Sequence, residues 1–140
     1  MKLIAHHSNF KLPTKGTKFA GAYDIYMPES GQANNYEGTK HMLGFASEVP
    51  AGYVALILPR SGVGSKQGLE LSNTCGVIDA DFRGEWFVVL KTKHFHGHKW
   101  TAGDRILQYL LVPVLDSPPE LVHALTPTHR GSGGGGSTGT

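Results

Sequence analysis

The sequence predicts an all-β protein built from short strands, and three observations carry that prediction. Glycine supplies 19 of the 140 residues, roughly twice the 7% of an average chain, and most glycines stand singly between apolar runs, where they mark turns. Short runs rich in β-branched and aromatic residues recur between those turns. Helical periodicity is nearly absent: Gly62–Gly68 suggests one short helix, and Leu121–Leu125 is too short to make another.

Taken in order, Leu3 and Ile4 open a first strand, and Leu12–Gly16 follows as a loop. Ala22–Tyr26 reads as a strand, and the polar stretch Pro28–Thr39, with Gly31, Asn34, Asn35 and Gly38, as a surface loop. Leu43–Ala46 and Tyr53–Leu58 read as strands joined in a hairpin by Pro50-Ala51-Gly52. Glu85–Lys91 and Ile106–Val114 are further strands whose imperfect alternation predicts cover on both faces. From Arg130 the composition turns to glycine, serine and threonine, which divides the chain into a β domain, 1–129, and a flexible arm, 130–140.

Composition narrows the function. No apolar run approaches the ~20 residues a membrane-spanning helix needs, and Met1–Phe10 lacks the apolar region of a signal peptide. Cys75 is the single cysteine, so no intrachain disulfide forms and a reducing compartment is expected. That means the cytoplasm, or the host cytoplasm or nucleus for a virus-encoded chain. A net charge of +2 is too small for stable nucleic-acid binding to be expected, though it leaves room for a local phosphate site.

Four segments carry candidate chemistry. Pro59-Arg60-Ser61-Gly62 closes a strong strand and places a guanidinium, a hydroxyl and a glycine amide together, a set suited to phosphate. Asn73–Glu85 sets Val77-Ile78 directly before Asp79, Asp81 and Phe82, which suggests a hairpin presenting Asp79 beside a pocket; the oxygen ligands of a calcium loop are missing. Gln108 sits inside an apolar run and needs hydrogen-bond partners, either backbone groups or a water. His94, His96 and His98 alternate in a turn without a fourth ligand, so no metal is assigned to them. Cys75 has no local histidine partner and reads as a small turn residue.

In order and spacing, five segments resemble the motifs of the homotrimeric dUTP pyrophosphatases, the dUTPases: Gly21-Ala22-Tyr23-Asp24-Ile25, Pro59-Arg60-Ser61-Gly62, Gly76–Glu85, Gly103–Gln108, and Arg130–Gly139. The resemblance spans nearly the whole chain. It implies a jelly-roll-like β fold, a homotrimer with sites shared between subunits, and hydrolysis of dUTP with Mg²⁺ to dUMP and pyrophosphate, which supplies dUMP and keeps uracil out of DNA. It implies that Asp79 meets the sugar 3′-hydroxyl and activates water, with Gln108 near the phosphates and that water. By the same resemblance, Phe82 is expected to pack under deoxyribose, Asn73, Gly76, Val77 and Ile78 to read uracil, and Arg60, Ser61 and Gly62 to bind phosphate. Asp24 bonds magnesium-bound water, and Arg130, Gly134, Gly135, Ser137 and Thr138 belong to the closing arm.

The residues fit that chemistry. A triphosphate needs cations and amides around it, and water needs a base. Three features depart from the pattern. Ala22 stands for glycine, the turn after the third-motif strand carries His94 to His98, and Gly135 takes the place of the phenylalanine that stacks on uracil, contact worth about 1–3 kcal/mol. Phe82 stands for the usual tyrosine, which exclusion of a 2′-hydroxyl by ring packing tolerates. The weakened arm favours a regulatory or nucleotide-binding alternative, against which Asp79, Ser61 and Gln108 stand. A dCTP deaminase-like enzyme is the other alternative, but no general acid/base for the C4 amine is identified. Pro28–Thr39 is the stretch most open to an unknown protein inhibitor.

Overall fold

In the computed structural model, which describes residues 1–134, the chain forms eleven strands and one short helix. In chain order they are β1 (Lys2–Ala5), β2 (Tyr23–Ile25), β3 (Gly31–Asn35), β4 (Thr39–Met42), β5 (Phe45–Glu48), β6 (Tyr53–Pro59), α1 (Ser61–Gln67), β7 (Leu69–Leu71), β8 (Gly76–Ile78), β9 (Phe87–Thr92), β10 (His98–Trp100) and β11 (Leu107–Pro113). No helix among the described residues is long and apolar enough to cross a membrane.

Three sheets result. β1 pairs with β5; β2-β11-β6-β8 form a four-stranded antiparallel sheet; β10-β3-β9-β4 form a third, with β7 also paired to β9. The long central pair is β6 with β11, in register from Tyr53↔Pro113 to Pro59↔Leu107. Ala55 and Ile57 on β6, Leu107 on β11, Ile25 on β2 and Leu90 on β9 are buried in one core. An aromatic chain threads that core: Phe10 on Phe45, Phe45 on Trp86, and Trp86 edge-on to Tyr109, with centroids 5.4, 4.8 and 5.4 Å apart. Burial pushes the Tyr109 hydroxyl up to about 12.

The structure corrects four expectations. Pro28–Thr39 is no loop: it holds all of β3 and the start of β4. Ala33 is fully buried there, and β3 pairs in parallel with β9 through Asn34↔Lys91. The polar side chains hid this strand, and so did Gly31, where a Cβ would lie 2.5 Å from the Trp100 ring. The turn at Pro50 exists, with Tyr53 N donating to Pro50 O, but it joins two sheets, since β5 pairs with β1 while β6 pairs with β11 and β8. The Asn73 segment is likewise an arch and not a hairpin: β7 before it pairs with β9, and β8 after it pairs with β6. Finally, β9 alternates cleanly, Val88, Leu90 and Thr92 inward and Phe87 outward. Its outward face carries apolar side chains, and that blurred the alternation in sequence.

Candidate active site

One group of candidate residues gathers where β6 ends. β11 runs between β2 and β6, with Gln108 opposite Asp24 on one side and Leu58 on the other. Arg60 follows the last residue of β6, and its amide donates to Ile106 O at 3.0 Å. Its Nε lies 3.1 Å from Asp24 Oδ1, and Arg105 Nη1 lies 3.3 Å from Oδ2. Asp24 is buried, and an unpaired carboxylate there would be costly; the two guanidiniums offset that cost and are fixed by it. Arg60 Nη1 also donates to Arg105 O, and Gln108 Nε2 to Pro59 O at 3.2 Å. Gln108 therefore has the backbone partner its burial requires.

Ser61 and Gly62 open α1 and are exposed beside Arg60. Hydroxyl, backbone and guanidinium thus share one rim with Asp24 and Gln108, an anion-binding arrangement. Both Asp24 oxygens already face arginine, which fits a carboxylate that meets a cation through water, with oxygen ligands supplied by a phosphate chain. No group of three His, Cys, Asp or Glu among the described residues is placed to hold a metal by itself.

The second group lies at the other end of the same sheet. β8 pairs antiparallel with β6, Gly76 opposite Ile57 and Ile78 opposite Ala55. Asp79, one residue beyond Ile78, is therefore level with Val54, six residues before Arg60, or about 20 Å away at ~3.3 Å per residue. Asp79 is exposed and begins a tight turn in which Phe82 N donates to Asp79 O at 3.2 Å. Phe82 is partly exposed. Val77 points outward, and Asn73 lies in the arch where Thr74 takes φ 70°.

The single chain thus brings Asp24, Arg60, Ser61, Gly62 and Gln108 together, and separately Asp79 with Phe82. Arg130 and Gly134 are described, but the Arg130 Nε bond runs to Gly133 O within its own turn. Gly135, Ser137 and Thr138 lie outside the described residues. Two residues acquire contacts that the sequence reading gave no role: Arg105, as the second partner of Asp24, and Arg83, whose Nη1 donates to Ala80 O and Phe82 O at 2.7 and 3.0 Å. Both lie inside motif segments, the one sequence signal that marked them.

Comparison with known proteins identifies the family and the fold. The dUTPase family model matches residues 8–139. Proteins named deoxyuridine 5′-triphosphate nucleotidohydrolase are similar over almost the full length. The one from Beijerinckia indica is 36% identical over 99% of this chain and 89% of its own, and the one from Dictyoglomus turgidum is 39% identical over 91% and 90%. Among solved structures, the dUTPase of Staphylococcus bacteriophage 80alpha with dUpNHpp superposes with a TM-score of 0.87 at 25% identity, covering 99% of this chain and 98% of that one. A mutant dUTPase from phage phi11 of S. aureus, described with a structural Mg(II) ion, shares the fold with a TM-score of 0.77 at 22% identity, over 88% and 96%.

Proposed function

The chain belongs to the dUTPase family, and on that premise we propose that it hydrolyses dUTP to dUMP and pyrophosphate at sites assembled from more than one subunit. The observation that carries the shared site is the split along β6. Measured along β6, Asp79, the group for water, stands about 20 Å from Arg60 and about 13 Å from the level of Gln108, the groups for phosphate. One nucleotide cannot meet both on one chain; a neighbouring copy bringing its Arg60 end to this Asp79 can complete the set. A homotrimer supplies three such junctions by rotation.

In this reading Arg60, Ser61 and Gly62 grip the triphosphate, with Gln108 beside the attacked phosphate. Asn73 and the backbone of Gly76–Ile78 read uracil, and Phe82 packs under the deoxyribose. Asp79 accepts a proton from water as its oxygen bonds to the α-phosphorus. The bond from that phosphorus to the bridging oxygen breaks, and pyrophosphate leaves with the pair. Asp24 would hold Mg²⁺ through water, and the ion would supply charge neutralisation for the departing pyrophosphate. Arg130, Gly134, Gly135, Ser137 and Thr138 form the arm that closes on the phosphates. The activity would supply dUMP and limit uracil in DNA. The test is pyrophosphate release from dUTP beside UTP and dCTP. Turnover of dUTP alone is expected; release from dCTP, or from neither deoxynucleotide, overturns the reading.

A further inference from the structure

The turn that carries Asp79 and Phe82 has no core packing of its own. Asp79, Asp81, Phe82, Arg83 and Gly84 are all exposed. A steric sugar gate on so exposed a turn needs something to hold it, because a ring that swings aside leaves room for a 2′-hydroxyl. The structure shows three fastenings. One guanidinium nitrogen of Arg83 donates to both Ala80 O and Phe82 O, at 2.7 and 3.0 Å, and so ties the turn from inside. The ring of Phe82 folds back over Gly84 so closely that a Cβ at 84 would lie 2.6 Å from its Cζ and 2.9 Å from its Cε2. Beyond Gly84 the chain is pinned to the core: Glu85 Oε1 accepts from Gly44 N, and Trp86 N donates to Phe45 O.

Arg83 is exposed and lines a cavity of about 460 Å³ shared with Lys2, Glu48, Ala80 and Asp81. Its two carbonyl bonds, both from one nitrogen, hold the guanidinium against its own turn, with the Glu48 carboxylate near enough to feel its charge.

We propose that Arg83 and Gly84 are positioning residues for sugar selection: Gly84 by leaving the space over which the Phe82 ring lies, and Arg83 by bracing the turn that ring stands on. The inference rests on the dUTP-hydrolysing reading above. It extends selectivity from the ring itself to its support. Because Asp79 shares the turn with Phe82, Arg83 has a second effect that Gly84 lacks. Loosening the brace disturbs the water-activating carboxylate as well as the ring.

The experiment compares Gly84→Ala, Arg83→Ala, Arg83→Lys and Phe82→Ala in the full chain. For each, kcat and KM are measured with dUTP and with UTP, and binding of dUMP and UMP is measured by calorimetry. Gly84→Ala is expected to raise the UTP/dUTP ratio of kcat/KM about tenfold or more, the scale on which a pocket contact discriminates, with the KM for dUTP rising as the ring loses its place under the deoxyribose. Arg83→Ala is expected to raise the ratio and also to lower kcat for dUTP. Arg83→Lys, which keeps a donor on a long stem, should recover part of both. Gly84→Ala in a Phe82→Ala background should add nothing to the ratio, since both changes act through one ring. Unchanged ratios in folded Gly84→Ala and Arg83→Ala proteins overturn the proposal, as does full additivity with Phe82→Ala. If the wild-type chain released no pyrophosphate from dUTP, the functional reading would fail, and the dUMP/UMP binding ratios would still decide this one.

Discussion

At the scale of single residues, the site is a set of charges held ready before substrate arrives. Asp24 is buried between Arg60 and Arg105, so Arg60, proposed to meet phosphate, is already oriented and would need little reorganisation at the moment of reaction. Asp79 is the opposite case: exposed and in no ion pair among those found in the described residues, it is open to take up a proton. Asp79→Asn keeps the shape and removes the acceptor. Turnover of dUTP should fall by about 10²–10⁴-fold while dUMP affinity and the melting temperature stay near wild type; calorimetry beside pyrophosphate release reads both. Asp79, Arg60, Ser61 and Gln108 stand out in the sequence as candidates because each sits in a contiguous motif. The double pairing of Asp24 does not, because Arg105 is 81 residues away along the chain and nothing local announces the contact.

At the scale of elements, the strands that sequence missed are short, and they exist because of distant partners. β3 is polar and is held by β10 and β9; β7 is an alternating Leu69-Glu70-Leu71 held by β9, three residues being too few for the alternation to stand out. The strong apolar runs, β6, β9 and β11, were legible; which strand each would pair with was not. The sheet edge around β10 also carries a pH response. His41 on β4 sits edge-on to Trp100 at 4.8 Å and His98 stacks on it at 6.3 Å. Burial is the main cause lowering the proton affinity of both, reinforced at His98 by the neighbouring His94. A histidine whose native value is depressed binds protons more readily when unfolded, so its stabilising contribution is complete above the ordinary value of 6.5. It is lost as pH falls from there through the lowered native value. Urea midpoints should therefore drop between pH 7 and 5, and His41→Phe with His98→Phe should flatten that slope. The arm makes a separate prediction. Gly135→Phe restores a ring able to stack on uracil and removes the entropy of one glycine, so kcat/KM for dUTP should rise about tenfold, a gain of ~1.4 kcal/mol. Removal of residues 130–140 should lower it below wild type.

At the scale of the whole molecule, β6 separates the Asp79 turn from the Arg60 end on one chain, and in the proposed function these are the two halves of a shared site. The proposed trimer makes this testable by mixing inactive proteins. Asp79→Asn and Arg60→Ala chains are each expected to be nearly inactive alone. Co-assembled at equal amounts, about a quarter of the junctions should join an intact Asp79 to an intact Arg60 by random assortment in a closed ring, and activity should return to that fraction. No recovery on mixing would place both groups on one chain. The same spacing has a consequence for how the enzyme is made. If the proposed trimer is right, a newly synthesised copy would hold two half-sites and no whole one, and would be silent until it met its partners. Specific activity should then depend on concentration, vanishing on dilution below the level at which subunits part, as for any function that only the assembled state possesses. Dosage and assembly, and not folding alone, would set how much activity a cell obtains from each chain.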